Sequence, residues 1–338
     1  MKLEELGEFG FIDRLAGQVK AWPGVVLGIG DDAAILAPAA GKVTLATSDM
    51  LVERVHFDLA LSDPHTLGRK SLAVNLSDLA AMGAQPRHAL LSLAVPSAIP
   101  VEFLDAFTSG FLASANEFQV ALVGGDTCAS EGGLVISVTA LGEQHPDLVV
   151  RRSTARVGDL VLVTGNLGDS ALGLELLRRG VRSGKAVERH LDPLPRVAAG
   201  LRLAEAGLVT AMIDVSDGLL ADLGHILDLS GVGAHLDLAR LPLSEECRHH
   251  VSTDRKDPYG LPLAGGEDYE LLFTAMPERE ASIRSVLADC GVPVTVIGEI
   301  IAGGGISMTD PAGNPYHPSR LGYNHFGTTR DAASSPAS

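Results

Sequence analysis

The stretch Ala89–Thr127, ALLSLAVPSAIPVEFLDAFTSGFLASANEFQVALVGGDT, decides the fold. Ala89–Val95 is an apolar run of strand length, Pro96 and Pro100 interrupt the chain, Glu102–Asn116 has helical spacing, and Val120–Val123 resumes as a strand. Strand, helix and strand joined by short connections define an α/β unit. The unit closes on Gly124-Gly125-Asp126-Thr127, two flexible residues and an acid at the C-terminal end of a strand, where α/β proteins often bind ligands.

Outward from this stretch the same periods continue. An amphipathic helix is expected over Leu3–Val19, strands over Val25–Ile29 and Lys42–Ala46, and a helix over Leu67–Met82 stopped by Gly83. A strand at Leu134–Leu141 follows. A second unit begins near Arg151, with strands at Leu160–Thr164, Met212–Val215, Ala234–Leu238, Tyr269–Thr274 and Val294–Ile297. Its helices fall at Ser170–Arg179, Pro195–Ala206, Gly218 to Leu229 and Pro277–Cys290. The expectation is two α/β domains, residues 1–146 and 147–329, and a disordered tail, 330–338, too small and polar to offset the entropy of ordering. Each half contains a Ser-Asp pair leading into a helix, Ser77–Asp78 and Ser216–Asp217.

The 338 residues, 46% hydrophobic, are long enough for two cores. Apolar stretches break well short of the roughly 20 residues that span a bilayer, so no membrane segment is expected. The acidic start Met1–Glu8 lacks the basic and then apolar pattern of a secretory signal, which points to the cytoplasm. Three dispersed cysteines read as small core residues of a reducing compartment rather than a disulfide framework or zinc site. A formal charge of −16 argues against nucleic acid and requires that any phosphate ligand be accompanied by cations.

Six short segments set acids among Gly, Ser and Thr: Gly28–Asp32, Thr47–Asp49, Ser77–Asp78, Gly124–Thr127, Asp214–Gly218 and Gly265–Asp268. Together they suggest a magnesium and phosphate site drawn from both halves. Each has a plain structural alternative. Asp31 and Asp32 after Gly28-Ile29-Gly30 suit a turn. Thr47-Ser48-Asp49 offers two hydroxyls and a carboxylate, hard donors suited to magnesium, or else a helix N-cap. Asp78, three residues after Asn75 in an apolar helix, needs a partner if buried. Asp214 and Asp217 flank a strand end and a helix start whose N–H groups could receive phosphate, although Ser216 or Asp217 could simply cap that helix. Gly265-Gly266-Glu267-Asp268-Tyr269-Glu270 has more acids than a strand entrance requires.

Other chemistries lack their patterns. Gly180–Lys185 has the wrong spacing for a phosphate loop, and neither a GxSxG elbow nor an HExxH motif occurs. His249-His250 reads as a solvated pair, and His56, just beyond Asp49, as a structural histidine unless further facts intervene.

In order, GIGDDAAIL, TSDMLVERVHF, NLSDLAAMGA, GGDT, TALGE, GDLVLVTGNLGDSALGL, DVSDGLLADL and GGEDYELLF resemble the thiamine-monophosphate kinases, over about Gly28 to Phe326. Several pieces also resemble the wider aminoimidazole ribonucleotide synthetase superfamily, with its selenophosphate synthetases and hydrogenase-maturation proteins. The resemblance implies ATP-dependent phosphorylation of thiamine monophosphate to thiamine diphosphate without a phosphoenzyme. It also implies an N-terminal domain whose mixed sheet pairs in a homodimer, and a C-terminal sheet covered by helices. Carried over by position, Asp31, Thr47, Ser48, Asp49, Asp78, Asp126, Asp214 and Asp217 are expected to bind several magnesium ions. Gly125, Asp126, Arg152 and Ser216 are expected to contact the nucleotide, and His56, Glu267 and Tyr323 the thiamine substrate. The family usually has Arg-Ser-Gly-Ala where this chain has Arg152-Ser153-Thr154-Ala155.

Two rivals are distinguishable. A selenophosphate synthetase would place a reactive Cys in a Gly-rich N-terminal segment, whereas the first Cys here is Cys128, and an aminoimidazole ribonucleotide synthetase would turn over an amidine nucleotide. A metal-stabilised scaffold would bind magnesium without consuming ATP.

Overall fold

A computed structural model describes residues 3–30, 32–253 and 257–323. The chain folds as two units, Met1–Val149 and Val150–Ser338. Asp31 and the tail 330–338 lie outside the described residues.

The N-terminal unit runs α1 (Leu3–Ala16), β1 (Val25–Leu27), β2 (Ile35–Leu36), β3 (Val43–Val52), α2 (Pro64–Ala81), β4 (Gln85–Pro96), α3 (Val101–Glu117), β5 (Ala121–Ser130) and β6 (Val135–Gln144). Strands β1 and β2 form a small antiparallel ladder, and the main sheet has the order β3-β6-β4-β5. Strands β4 and β5 are parallel across α3, the unit legible in the opening stretch, while β6 pairs antiparallel with both β3 and β4. Asp63 caps α2 by accepting the Thr66 N–H at 3.1 Å, Pro64 begins it, and Gly83 follows its end in the left-handed region at φ 69°. Thirteen of its eighteen residues are buried, because α2 packs against both α3 and the sheet. The core is formed by Leu72, Leu76, Phe107, Phe111, Ile136 and Val138, each fully buried Leu or Phe contributing about 1.5–3 kcal/mol.

Two strands run further than their apolar residues indicate. Strand β3 continues through Thr47-Ser48-Asp49, so that segment is neither a loop after a strand nor a helix cap. Strand β5 continues through Gly124–Thr127 to Ser130, and its register against β4 slips by one residue, leaving Val123 as a bulge between Leu122 opposite Ala89 and Gly124 opposite Leu90. Ser77–Asp78 sits in the last turns of α2 rather than leading into a helix.

The C-terminal unit runs β7 (Leu160–Thr164), α4 (Asp169–Arg178), α5 (Lys185–Leu191), α6 (Val197–Glu205), β8 (Ala211–Asp214), α7 (Leu219–Ser230), β9 (Gly233–Asp237), α8 (Glu245–Thr253), α9 (Gly260–Ala264), β10 (Leu271–Ala275), α10 (Glu280–Asp289), β11 (Val294–Ile301) and β12 (Gly305–Thr309). Its six-stranded sheet has the order β12-β9-β11-β7-β10-β8, parallel only between β12 and β9. Strands β7 and β10 read as uninterrupted apolar runs because both faces are covered. Both units are thus mixed α/β structures. Cys247 is buried, but Cys128 is exposed on β5, so it is not the core residue the composition suggested. No described helix is long and apolar enough to cross a membrane.

Candidate functional site

In the N-terminal unit, alternation along β3 sends Leu45, Thr47, Asp49 and Leu51 inward and Ala46, Ser48 and Met50 outward. The inward residues meet α2. The Thr47 hydroxyl donates to Asp78 Oδ2, and the Asp49 N–H donates to Asn75 Oδ1 at 3.1 Å. Asn75, fully buried, also donates to the Ser71 carbonyl at 3.3 Å, as a residue four positions on in a helix can. Burial, reinforced by the neighbouring Asp78 carboxylate, pushes the Asp49 carboxyl up to about 6. A cation between the two acids would remove that repulsion.

The same sheet separates other expected ligands from this pair. Asp49 lies in register with Val138, Leu91 and Gly125, whereas Asp126 lies in register with Ser92, Ser137 and outward-facing Met50. Asp126 therefore occupies the opposite face, three strand spacings or about 14 Å from β3. Ser48 is on that outer face too, its hydroxyl 3.2 Å from the Val138 carbonyl and 3.0 Å from Thr139 Oγ1. The two hydroxyls of Thr47-Ser48 do not converge. Gly125 has a structural reason of its own: a Cβ there would stand 1.7 Å from the Leu91 carbonyl oxygen. His56 accepts the Val52 N–H on Nδ1 at 3.0 Å, which places the proton of a neutral ring on Nε2.

In the C-terminal unit, β8 delivers buried Asp214 to its end, and the chain turns through Ser216-Asp217-Gly218 into α7. The N–H groups of Ser216, Asp217 and Gly218 do not await phosphate. All three donate to Asp222 Oδ2, at 3.0, 3.1 and 3.1 Å, so a carboxylate from the first turns of α7 holds the loop. Burial and the nearby Asp217 push the Asp222 carboxyl up to about 7. Neither Ser216 nor Asp217 caps the helix. Tyr323, half exposed, donates its N–H to the Asp217 carbonyl at 2.9 Å, so it stands beside this loop.

The Gly265–Glu270 segment lies along the same loop. Glu267 N–H donates to the Ser216 carbonyl at 2.8 Å and Tyr269 N–H to the Val215 carbonyl at 2.9 Å. Two of its three acids are architectural. Glu270 forms a buried two-point ion pair with Arg196, at 2.6 and 2.5 Å, and accepts the Thr164 hydroxyl at 2.7 Å. Asp268 accepts the N–H groups of Gly168 and Ser170 at 2.7 and 3.1 Å, and its burial raises its pKa well above the usual carboxylate range. Glu267 keeps an accessible carboxylate, with His190 Nδ1 3.4 Å from its Oε2. Arg152 is on the exposed segment before β7, where Ser230 Oγ donates to its carbonyl at 3.2 Å. Thr154, the departure from the family pattern, donates its hydroxyl to the Thr210 carbonyl.

The sequence reading missed Asn75, His190, Arg196 and Asp222. Only Asp222 had a local signal, an acid four residues beyond Gly218 in Asp217-Gly218-Leu219-Leu220-Ala221-Asp222. Among the described residues, no group of three His, Cys, Asp or Glu side chains could hold a metal ion. The donors that do converge, Thr47, Asp49 and Asp78, are all hard oxygens. That fits magnesium, which is commonly held by one or two carboxylates with water and substrate phosphate filling the remaining positions.

Family models place the chain's class. The N-terminal domain of the AIR synthase related proteins matches residues 30–144, and their C-terminal domain matches residues 156–311. The thiamine-monophosphate kinase of Haemophilus influenzae is 39% identical over 301 residues, 87% of this chain and 89% of that protein. The crystal structure of thiamine-monophosphate kinase from Stenotrophomonas maltophilia K279a superposes with a TM-score of 0.80 at 40% identity, covering 88% of this chain and 95% of that one. AaThiL complexed with AMPPCP and TMP superposes with a TM-score of 0.75 at 35% identity, covering 96% and 99%. The chain belongs to the thiamine-monophosphate kinase family within the AIR synthase related proteins.

Proposed function

We propose that this protein transfers the γ-phosphoryl group of ATP directly to thiamine monophosphate, giving thiamine diphosphate and ADP. The observation that carries the reading is the near full-length likeness to AaThiL, which was captured with AMPPCP and TMP. A phosphate oxygen of the acceptor forms the new bond to the γ-phosphorus as the bond to the ADP leaving oxygen breaks. The acceptor is already largely ionised near neutral pH, so no strong general base is required. This agrees with a site rich in acids and poor in paired histidines.

The residues proposed to hold magnesium are Asp31, Thr47, Ser48, Asp49, Asp78, Asp126, Asp214 and Asp217. Because Asp126 and Ser48 occupy the sheet face opposite Thr47, Asp49 and Asp78, the reading requires more than one ion. Bound magnesium would supply charge neutralisation and alignment for the phosphates. Gly125, Asp126, Arg152 and Ser216 are proposed to contact the nucleotide, Arg152 by pairing with phosphate. Glu267 and Tyr323 are proposed to hold the thiamine rings, with Tyr323 stacking. His56 would offer its Nε2–H to the acceptor phosphate.

A cytoplasmic homodimer paired through the N-terminal unit completes the proposal. It is supported by edge strand β3, on whose outer face Met50 is exposed. The test is to incubate the protein with ATP, magnesium and thiamine monophosphate and follow ADP and thiamine diphosphate by chromatography. Equal formation of both supports the reading, and ADP without thiamine diphosphate overturns it.

A further inference from the structure

The segment that carries Glu267 is held in an unusual shape. Glu267 and Tyr269 both occupy the left-handed region, at φ 67° and 49°, which a residue with a side chain adopts only when its surroundings hold it there. Between them, Asp268 is anchored on the N–H groups of Gly168 and Ser170, where α4 begins, and the flanking N–H groups are tied to Ser216 and Val215. These anchors fix the backbone of Glu267. Its carboxylate approaches α5.

Among its neighbours is His190, a buried ring on α5. Its Nδ1 is 3.1 Å from Ser170 Oγ and 3.4 Å from Glu267 Oε2. The ring is delivered by a tight crossing of α4 and α5: a Cβ on Gly173 would lie 2.1 Å from the Ala186 carbonyl oxygen and 3.0 Å from His190 Cβ. Ser170 belongs to both arrangements, its N–H on Asp268 and its hydroxyl on His190.

We propose that His190 is a positioning residue for the acceptor substrate: a proton on Nδ1, shared with Ser170 Oγ, orients the Glu267 carboxylate toward the cationic, amino-bearing heterocycles of thiamine monophosphate. This rests on the reading that Glu267 holds that substrate, and it adds the element that aims it. Ser170 and Glu267, the neighbours of His190 described above, are not among the residues proposed to contact the nucleotide, so loss of His190 is expected to separate the two substrates kinetically.

The experiment compares His190→Gln, which fills the space but carries its amide beyond the Nδ1 position, with His190→Asn, whose amide nitrogen falls near Nδ1. Steady-state KM is measured for thiamine monophosphate and for ATP separately, with Glu267→Gln alongside. His190→Gln is expected to raise KM for thiamine monophosphate about tenfold, equivalent to about 1.4 kcal/mol, with KM for ATP and kcat little changed, and His190→Asn to recover most of the loss. The proposal is overturned if His190→Gln leaves KM for thiamine monophosphate unmoved, raises both KM values together, or is matched by His190→Asn. If Glu267→Gln raises KM for thiamine monophosphate while His190→Gln does not, only the role of His190 falls. An unmoved KM in Glu267→Gln removes the substrate role of Glu267 itself.

Discussion

Asp49 in the N-terminal unit and Glu270 in the C-terminal unit are both strand-associated acids with little access to water, yet they have opposite surroundings. Asp49 faces a second carboxylate, Asp78, and its proton is held up to about pH 6 by burial and that repulsion. Glu270 is matched on both oxygens by Arg196 and on one by Thr164. Asp268 resembles Glu270 in this respect, with a backbone N–H on each oxygen, while Asp222, although Asp217 stands near it, takes three backbone N–H groups on one oxygen. An acid facing an acid calls for a cation from outside, whereas an acid enclosed by donors has already been used by the fold.

The strongest challenge to that contrast is Arg196→Ala. Stranding Glu270 in a buried position is expected to cost about 3–5 kcal/mol of stability, measured by urea unfolding. A loss below 1 kcal/mol would show that the pair is not structural. Asp49→Asn should do the reverse. It is expected to lower turnover about a hundredfold, equivalent to about 2.7 kcal/mol, while leaving the melting temperature in magnesium-free buffer unchanged or raised, because a buried repulsion is removed. A parallel fall in melting temperature would move Asp49 into the architectural class.

The pH dependence sharpens the same division. The Asp268 carboxyl is raised by burial, so the folded state holds its proton more tightly than the unfolded chain does. Its contribution to stability is full below the unfolded value of about 4 and declines as pH rises from there toward the folded value. Asp268→Asn is therefore expected to flatten the fall in unfolding free energy above pH 4, and an unchanged slope would contradict it. The smallest effect belongs to Ser48→Ala. Its hydroxyl is on the outer face, bonded to the Val138 carbonyl and beside the Thr139 hydroxyl, so stability should change by less than about 0.5 kcal/mol and turnover by far less than in Asp49→Asn. Equal losses in the two variants would mean that both residues serve one ion despite facing apart.

The α/β character of both units was legible because continuous apolar runs such as Leu160–Thr164, and helical spacing such as that of Leu67–Met82, report burial directly. Strands β3 and β5 were read short for the complementary reason. Thr47-Ser48-Asp49 and Gly124–Thr127 interrupt the apolar pattern although the backbone pairing continues through them. The short helices α5, α8 and α9 and the edge strand β12 carry too few periodic residues to stand out. The motifs located the acid-rich segments, but not which acids the fold consumes. Arg196 and Glu270 are 74 residues apart and His190 and Glu267 are 77 apart, and no local period encodes a side-chain meeting across such a distance.

The bulge at Val123 has a consequence for every residue beyond it. Were the register unbroken, Asp126 would fall opposite Leu93 and turn into the helix-covered side of the sheet, and Thr127 would turn out. A one-residue slip in register thus acts as a parity switch. It delivers a charge to the outer side without altering a single side chain, and deleting Val123 would restore regular pairing with Asp126 still opposite Ser92 and Thr127 still opposite Leu93.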